Sequence, residues 1–279
     1  TALYRPWDPD HAAARVLWTV DDVPVLDEAF EHLGPRPKKH DLDEIRTYGH
    51  IVADEAQDLS PMQLRMLTRR SLNGSMTVVG DIAQSTGAWA HDHWDEILEH
   101  LPDRREVQHR ELTVGYRIPG PTMDLAAKVL AVAAPQLDPP TAVRSDGDVP
   151  AIIEVDGGPN PSQSMHEAAI EHARSELAAL DHGNVAVVCA TSAYDDVVTA
   201  FEAAGVTIGR ARRDGFTAAI TIVPVSLVKG LEVDATIVME PDRILREEQQ
   251  GARSLYVAVT RSTKRLTILH VETLPDFLR

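Results

Sequence analysis

Apolar positions along this chain follow two rhythms, one of helices and one of strands, and the switches between them delimit the elements. From Asp21 or Asp22 onward, Val23, Leu26, Phe30 and Leu33 recur at helical spacing, which predicts a helix stopped by Gly34-Pro35. His50-Ile51-Val52-Ala53 predicts a short buried strand that runs directly into Asp54 and Glu55, leaving two carboxylates at its carboxyl end. Ser60 before Pro61 is a helix start, with Ser as N-cap and Met62, Leu64, Met66 and Leu67 inside the helix. Residues 76–79 predict the next strand, closing on Gly80-Asp81. If the two strands are parallel neighbours, Asp81, Gln84 and Ser85 emerge at the same edge as the acidic pair. A helix is predicted around Trp94, Ile97, Leu98 and Leu101, and a strand over 106–112.

Beyond Tyr116-Arg117 the pattern predicts a helix over 121–133, then a loop or hinge rich in Pro, Asp and Gly over 135–150. Strands follow at 151–155, 185–190, 218–223, 235–240 and 266–271, alternating with helices at 164–180, 194–204 and 252–259. Such alternation implies an α/β fold of parallel sheets covered on both faces. No internal repeat or low-complexity tract interrupts it.

Length and charge narrow the function. With 279 residues the chain has room for about two domains. Aromatic residues make up only 5%, so packing rests on Leu, Val, Ile and Ala. The net charge of −16 repels nucleic acid at long range and confines any such contact to a local patch. Arg210-Ala211-Arg212-Arg213 is the one basic cluster of note, and a solvated loop accounts for it better than a nucleic-acid patch does. A single cysteine, Cys189, excludes an intramolecular disulfide, and its Val-Val-Cys-Ala setting predicts an inert core residue. No apolar run is long enough for a membrane span and the first ten residues do not resemble a secretory signal, so a cytoplasmic protein with no membrane partner is expected. The absence of a starting Met suggests a fragment. Twelve histidines raise a metal hypothesis, but on a strand His50 and Asp54 would stand about 13 Å apart, too far to share an ion.

Chemistry concentrates in a few segments. Hydrolysis of a nucleotide needs one carboxylate to hold the magnesium shell and another acceptor to deprotonate the attacking water. Asp54-Glu55-Ala56-Gln57-Asp58 offers both at a strand end, although a DE pair alone is more often a solvated acidic turn. Gln84, in Gly80-Asp81-Ile82-Ala83-Gln84-Ser85, could bond a terminal phosphate or that water, although taken alone the segment reads as a plain turn with a Gln cap. Arg117 and Arg261 carry the side chain that best stabilises charge spread over phosphate oxygens, and either one alone would also suit a surface ion pair. Between them, Lys229-Gly230-Leu231-Glu232 makes a polar turn before a buried strand, able to read a ribose or a nucleic-acid phosphate, or to serve as a plain loop.

In this order the segments resemble the motifs of superfamily 1 helicases of the UvrD/Rep type: 54–58 looks like motif II, 79–85 motif III, 115–117 motif IV, 226–234 motif V and 256–261 motif VI. The resemblance implies two RecA-like parallel-sheet domains, over 1–115 and 116–279, with ATP between them. It further implies that Asp54 holds Mg2+, Glu55 is the general base, Gln84 senses the terminal phosphate, Arg117 and Arg261 contact it, and Glu232 lies near the ribose.

Two departures qualify that picture. No Gly-Lys pair occurs, so the phosphate-cradling G-x-x-x-x-G-K-[ST] loop is missing and the first domain is expected to be incomplete. The chain then looks like the C-terminal part of a longer ATPase, with a naturally truncated, nucleotide-blind interaction module as the alternative; alone it should bind ATP weakly. The stretch from 208 to motif V is also too short for the large helical insertion of DNA-unwinding members. Segments 18–29, 50–60 and 224–234 resemble the actinobacterial HelD group of helicase-like ATPases, which implies RNA polymerase as partner and its remodelling or release as the task. Nucleic acid would be reached through the parent protein, and an ATP-dependent DNA helicase is the alternative.

Overall fold

The computed structural model describes residues 18–34, 46–102, 106–211 and 218–279. By contacts the chain forms two units. One runs to Ile82 and resumes over His91–Gln108; the other takes Ala83–Ala90 and everything from His109 onward. The expected single cut at 115/116 thus meets a chain that changes unit three times.

The first unit contains α1 (Val23–Leu33), β1 (Ile51–Ala53), α2 (Pro61–Arg70), β2 (Met76–Val78) and α3 (Trp94–Leu98). Ser60 caps α2 as its sequence predicts: its hydroxyl accepts from the Gln63 N–H while the Gln63 side chain accepts from the Ser60 N–H. Helices α1 and α2 are tied by charge, Asp27 and Glu28 pairing with Arg69, and Arg70 with Asp27. Strands β1 and β2 pair in parallel, Ala53 opposite Val78, so both chains deliver their next residues to the same edge. His50 bonds Ser75 Oγ at 2.8 Å and Thr77 Oγ1 at 3.0 Å.

The second unit contains β3 (Val114–Gly115), α4 (Gly120–Ala133), β4 (Thr141–Ala142), β5 (Ala151–Glu154), α5 (Pro161–Ala179), β6 (Val185–Cys189), α6 (Tyr194–Ala203), β7 (Gly209–Arg210), β8 (Ile220–Pro224), β9 (Val233–Met239), α7 (Pro241–Glu247), α8 (Gly251–Val259) and β10 (Ser262–His270). Six of its strands form one parallel sheet in the order β5-β10-β9-β6-β8-β7. The period-2 geometry of a strand splits the core in two. Val185, Val187 and Cys189 face α5 and α6, whereas Ala186 and Val188 face α4, α7 and α8. The α/β fold with parallel strands covered on both faces is therefore present here in full.

Several elements differ from expectation. Residues 106–112 carry no strand, because β4 supplies only two residues for a partner and the ladder is confined to Val114 and Gly115. Helix α7 follows β9 at once, and β10 begins at Ser262, earlier than its apolar run, since its polar start pairs with β9 across a register shift. Arg210 of the basic cluster pairs with Glu202, while Arg212 and Arg213 lie outside the described residues. Among the described residues no helix is long and apolar enough to cross a membrane.

Candidate functional site

In the first unit the acidic pair sits where the sequence predicts, one step past β1. Val79 N–H donates to Ala53 O at 2.8 Å and Ala56 N–H to Val79 O at 3.0 Å, so the ladder between the strands continues into the turn. Glu55 adopts a left-handed conformation, φ 53°, a strained state for a side-chain-bearing residue that lets the chain leave the strand sharply. Its N–H donates to Asp54 Oδ1 at 2.8 Å. The Glu55 carboxylate accepts from Gln57 Nε2 at 2.6 Å, and the other end of that amide accepts the Asp81 N–H at 3.0 Å. Gln57 is fully buried and thus joins the two strand ends through one side chain. Gly80 is required beside it, because a Cβ there would overlap Gln57 Oε1. No role for Gln57 follows from the sequence pattern; the glycine at 80 is the one trace of it.

Among the described residues no group of three or more His, Cys, Asp or Glu is arranged to hold a metal ion. Two exposed carboxylates at a strand end nevertheless suit magnesium, a hard cation that typically binds through one or two carboxylates together with nucleotide phosphates.

The second unit holds the cationic residues. Arg117 Nε lies 3.0 Å from Glu232 Oε1, both side chains about half exposed at 52% and 51%. An exposed pair of this kind is worth about 0–1 kcal/mol, so Arg117 is easily freed. Arg261 is 8% exposed and faces inward. Its Nε donates to Val257 O at 3.0 Å, at the carboxyl end of α8, where a cation complements the helix dipole. Its Nη1 donates to Leu231 O at 3.4 Å and its Nη2 to Gln84 Oε1 at 3.0 Å. Gln84 belongs by its contacts to this same unit. Sequence-predicted residues therefore meet in three sets: Asp54 with Glu55, Arg117 with Glu232, and Gln84 with Arg261.

No family model matches this chain, and no curated protein does. Many solved structures are similar to it, among them these two. One is the C-terminal domain of a possible DNA helicase from Lactobacillus plantarum WCFS1, 22% identical, TM-score 0.44, matched over 59% of this chain and 92% of that one. The other is arterivirus nonstructural protein 10, a helicase, in complex with DNA; it is 16% identical with TM-score 0.41 over 81% of this chain, which spans 41% of its length.

A second polar crevice lies at the carboxyl edge of the six-stranded sheet, between the ends of β6 and β9. It is an enclosed cavity of about 30 Å³, room for a water molecule or two. Glu240, with Glu55 one of two non-glycine residues of positive φ among the described residues, at 46°, lines it with His166, Arg243 and Cys189. Burial pushes the Glu240 carboxyl above its ordinary range and pushes His166 below its own. The sequence pattern gave this crevice no signal beyond Cys189.

Proposed function

We propose that this chain is the C-terminal motor portion of a superfamily 1, UvrD/Rep-type ATPase, HelD-like in kind, which couples ATP hydrolysis to remodelling or release of RNA polymerase. The observation that carries the catalytic part is the Glu55 carboxylate, set on a left-handed turn past a parallel strand and oriented by buried Gln57. A base that takes a proton from water must be fixed in direction, and the Gln57 bond does that while leaving the carboxylate exposed. Asp54 would hold a magnesium ion, whose charge neutralises phosphate oxygens. Arg117, released from Glu232, would reach the terminal phosphate, and Glu232 would then be free for a ribose hydroxyl. Arg261 would stabilise the charge that builds up on the transferred phosphoryl group.

The absence of a Gly-Lys pair means the main phosphate cradle has to come from elsewhere in the parent protein. The acidic balance of the chain favours a protein partner over naked DNA. The test is a pull-down of the full-length parent with RNA polymerase, alongside an unwinding assay on a tailed duplex. Retention on polymerase with ATP-dependent release supports the reading. A parent that ignores polymerase yet unwinds the duplex would favour a DNA helicase instead.

A further inference from the structure

We infer that Lys229 is a positioning residue that presets Arg261 by fixing the main chain of Gln84. The inference rests on reading Arg261 as phosphate-facing during turnover.

Lys229, Gln84 and Arg261 form a three-way junction inside the second unit. The turn after β8 passes through Val228 and Leu231, whose N–H donates to Val228 O at 3.3 Å, and Gly230 at φ 76° reverses the chain there. Glycine adopts such a φ without the steric cost that a side chain would bring. The turn acts on the junction from two sides. Lys229 Nζ donates to the backbone carbonyl of Gln84 at 3.0 Å, and Leu231 O accepts from Arg261 Nη1. Gln84 completes the triangle by accepting Arg261 Nη2 on its side-chain oxygen.

The segment that carries Gln84 is seated deeply. Ala83 and Ser85 on either side are buried, and Ala83 packs into the core formed by α4 and α8. Arg253 Nη1 lies 3.5 Å from Ser85 O. Gln84 is thus oriented by its backbone, and its amide presents one oxygen to one guanidinium. The sequence left the Lys229–Glu232 turn open between a ribose, a nucleic-acid phosphate and a plain loop; here the Lys229 ammonium holds a carbonyl. A neutral carbonyl held by a cation in a half-buried position makes a charge-assisted hydrogen bond, stronger than a neutral one. Lys229 therefore acts on the phosphate only through Gln84 and Arg261.

The test uses Lys229→Met, Lys229→Arg and Gln84→Ala. In the 279-residue chain, NMR of arginine side chains reads exchange of the Arg261 Nη–H protons with solvent, which include the one donated to Gln84. Lys229→Met and Gln84→Ala should each speed it at least tenfold, and Lys229→Arg, which keeps a donor, should restore most of the protection. Unchanged exchange in Lys229→Met would overturn the inference, as would faster exchange shared by amides throughout the sheet, which would mark general loosening. In the full-length parent, Lys229→Met should lower kcat for ATP about tenfold with KM nearly unchanged, the signature of an interaction made only in the transition state. A raised KM with kcat unchanged would show Lys229 binding the nucleotide itself and would also overturn it. Failure of the motor reading shows separately, as a parent whose ATP turnover does not depend on Glu55.

Discussion

Arg261 Nη2 donates to Gln84 Oε1 at 3.0 Å across 177 residues of sequence, inside one unit of the fold. A residue expected to belong with the acidic pair is therefore fastened to the arginine expected to oppose it.

The buried amide of Gln57 is the structural support of the candidate base. Gln57→Ala leaves the Asp81 N–H without that acceptor and should destabilise the chain by about 1–3 kcal/mol. Gly80→Ala, which forces a methyl group into the same amide, should cost about 1–3 kcal/mol by overpacking. Urea unfolding measures both. Wild-type midpoints for the two variants would show that Gln57 does not bridge the strand ends.

Glu240 gives stability a pH dependence of known sign. Its carboxyl is raised by burial, so the folded chain binds a proton more readily than the unfolded one. The contribution is fully favourable below the ordinary carboxylate pKa and is lost as pH rises through the raised value. Glu240→Gln should then raise Tm at pH 7, and the gain should vanish in acid below about pH 4. Thermal unfolding at the two pH values checks it; a Tm difference independent of pH would contradict it.

The elements and the candidate site were legible to different depths. Strand β6 is a continuous apolar run, β8 is one broken only by Thr221, and α5 and α6 repeat at helical spacing, so local pattern is enough for them. The expected strand over 106–112 failed because a strand exists only with a partner, and β4 is two residues long. Helix α7 was missed although Pro241-Asp242 is a start signal, since it begins straight from a strand without an intervening loop. Asp54 and Glu55 stand just past the end of β1, where the apolar strand pattern places them. Gln57 and Lys229 were not assigned their partners, because those bonds join residues 24 and 145 positions apart and no local period encodes them.

The missing phosphate cradle sets an expectation for the chain by itself. Without the backbone donors and the lysine of that loop, the 279 residues should bind ATP weakly and hydrolyse none. Calorimetric titration is the check. A micromolar dissociation constant would contradict it, as would steady turnover above a Glu55→Gln control.

Charge sets another. Affinity for duplex DNA comes largely from counterions released by clustered Lys and Arg, and this chain carries −16. Duplex DNA should bind it negligibly at physiological salt. Fluorescence anisotropy with a labelled duplex should stay flat through micromolar protein, and saturable binding there would contradict the expectation.

The central claim is that Glu55 and Arg261 serve one hydrolytic reaction in the parent protein. Steady-state ATP turnover of the full-length protein tests it most directly, comparing wild type with Glu55→Gln and Arg261→Ala. Each variant should be slower by about a hundredfold or more while unfolding at close to the wild-type temperature. Turnover near the wild-type rate in Glu55→Gln would contradict the account.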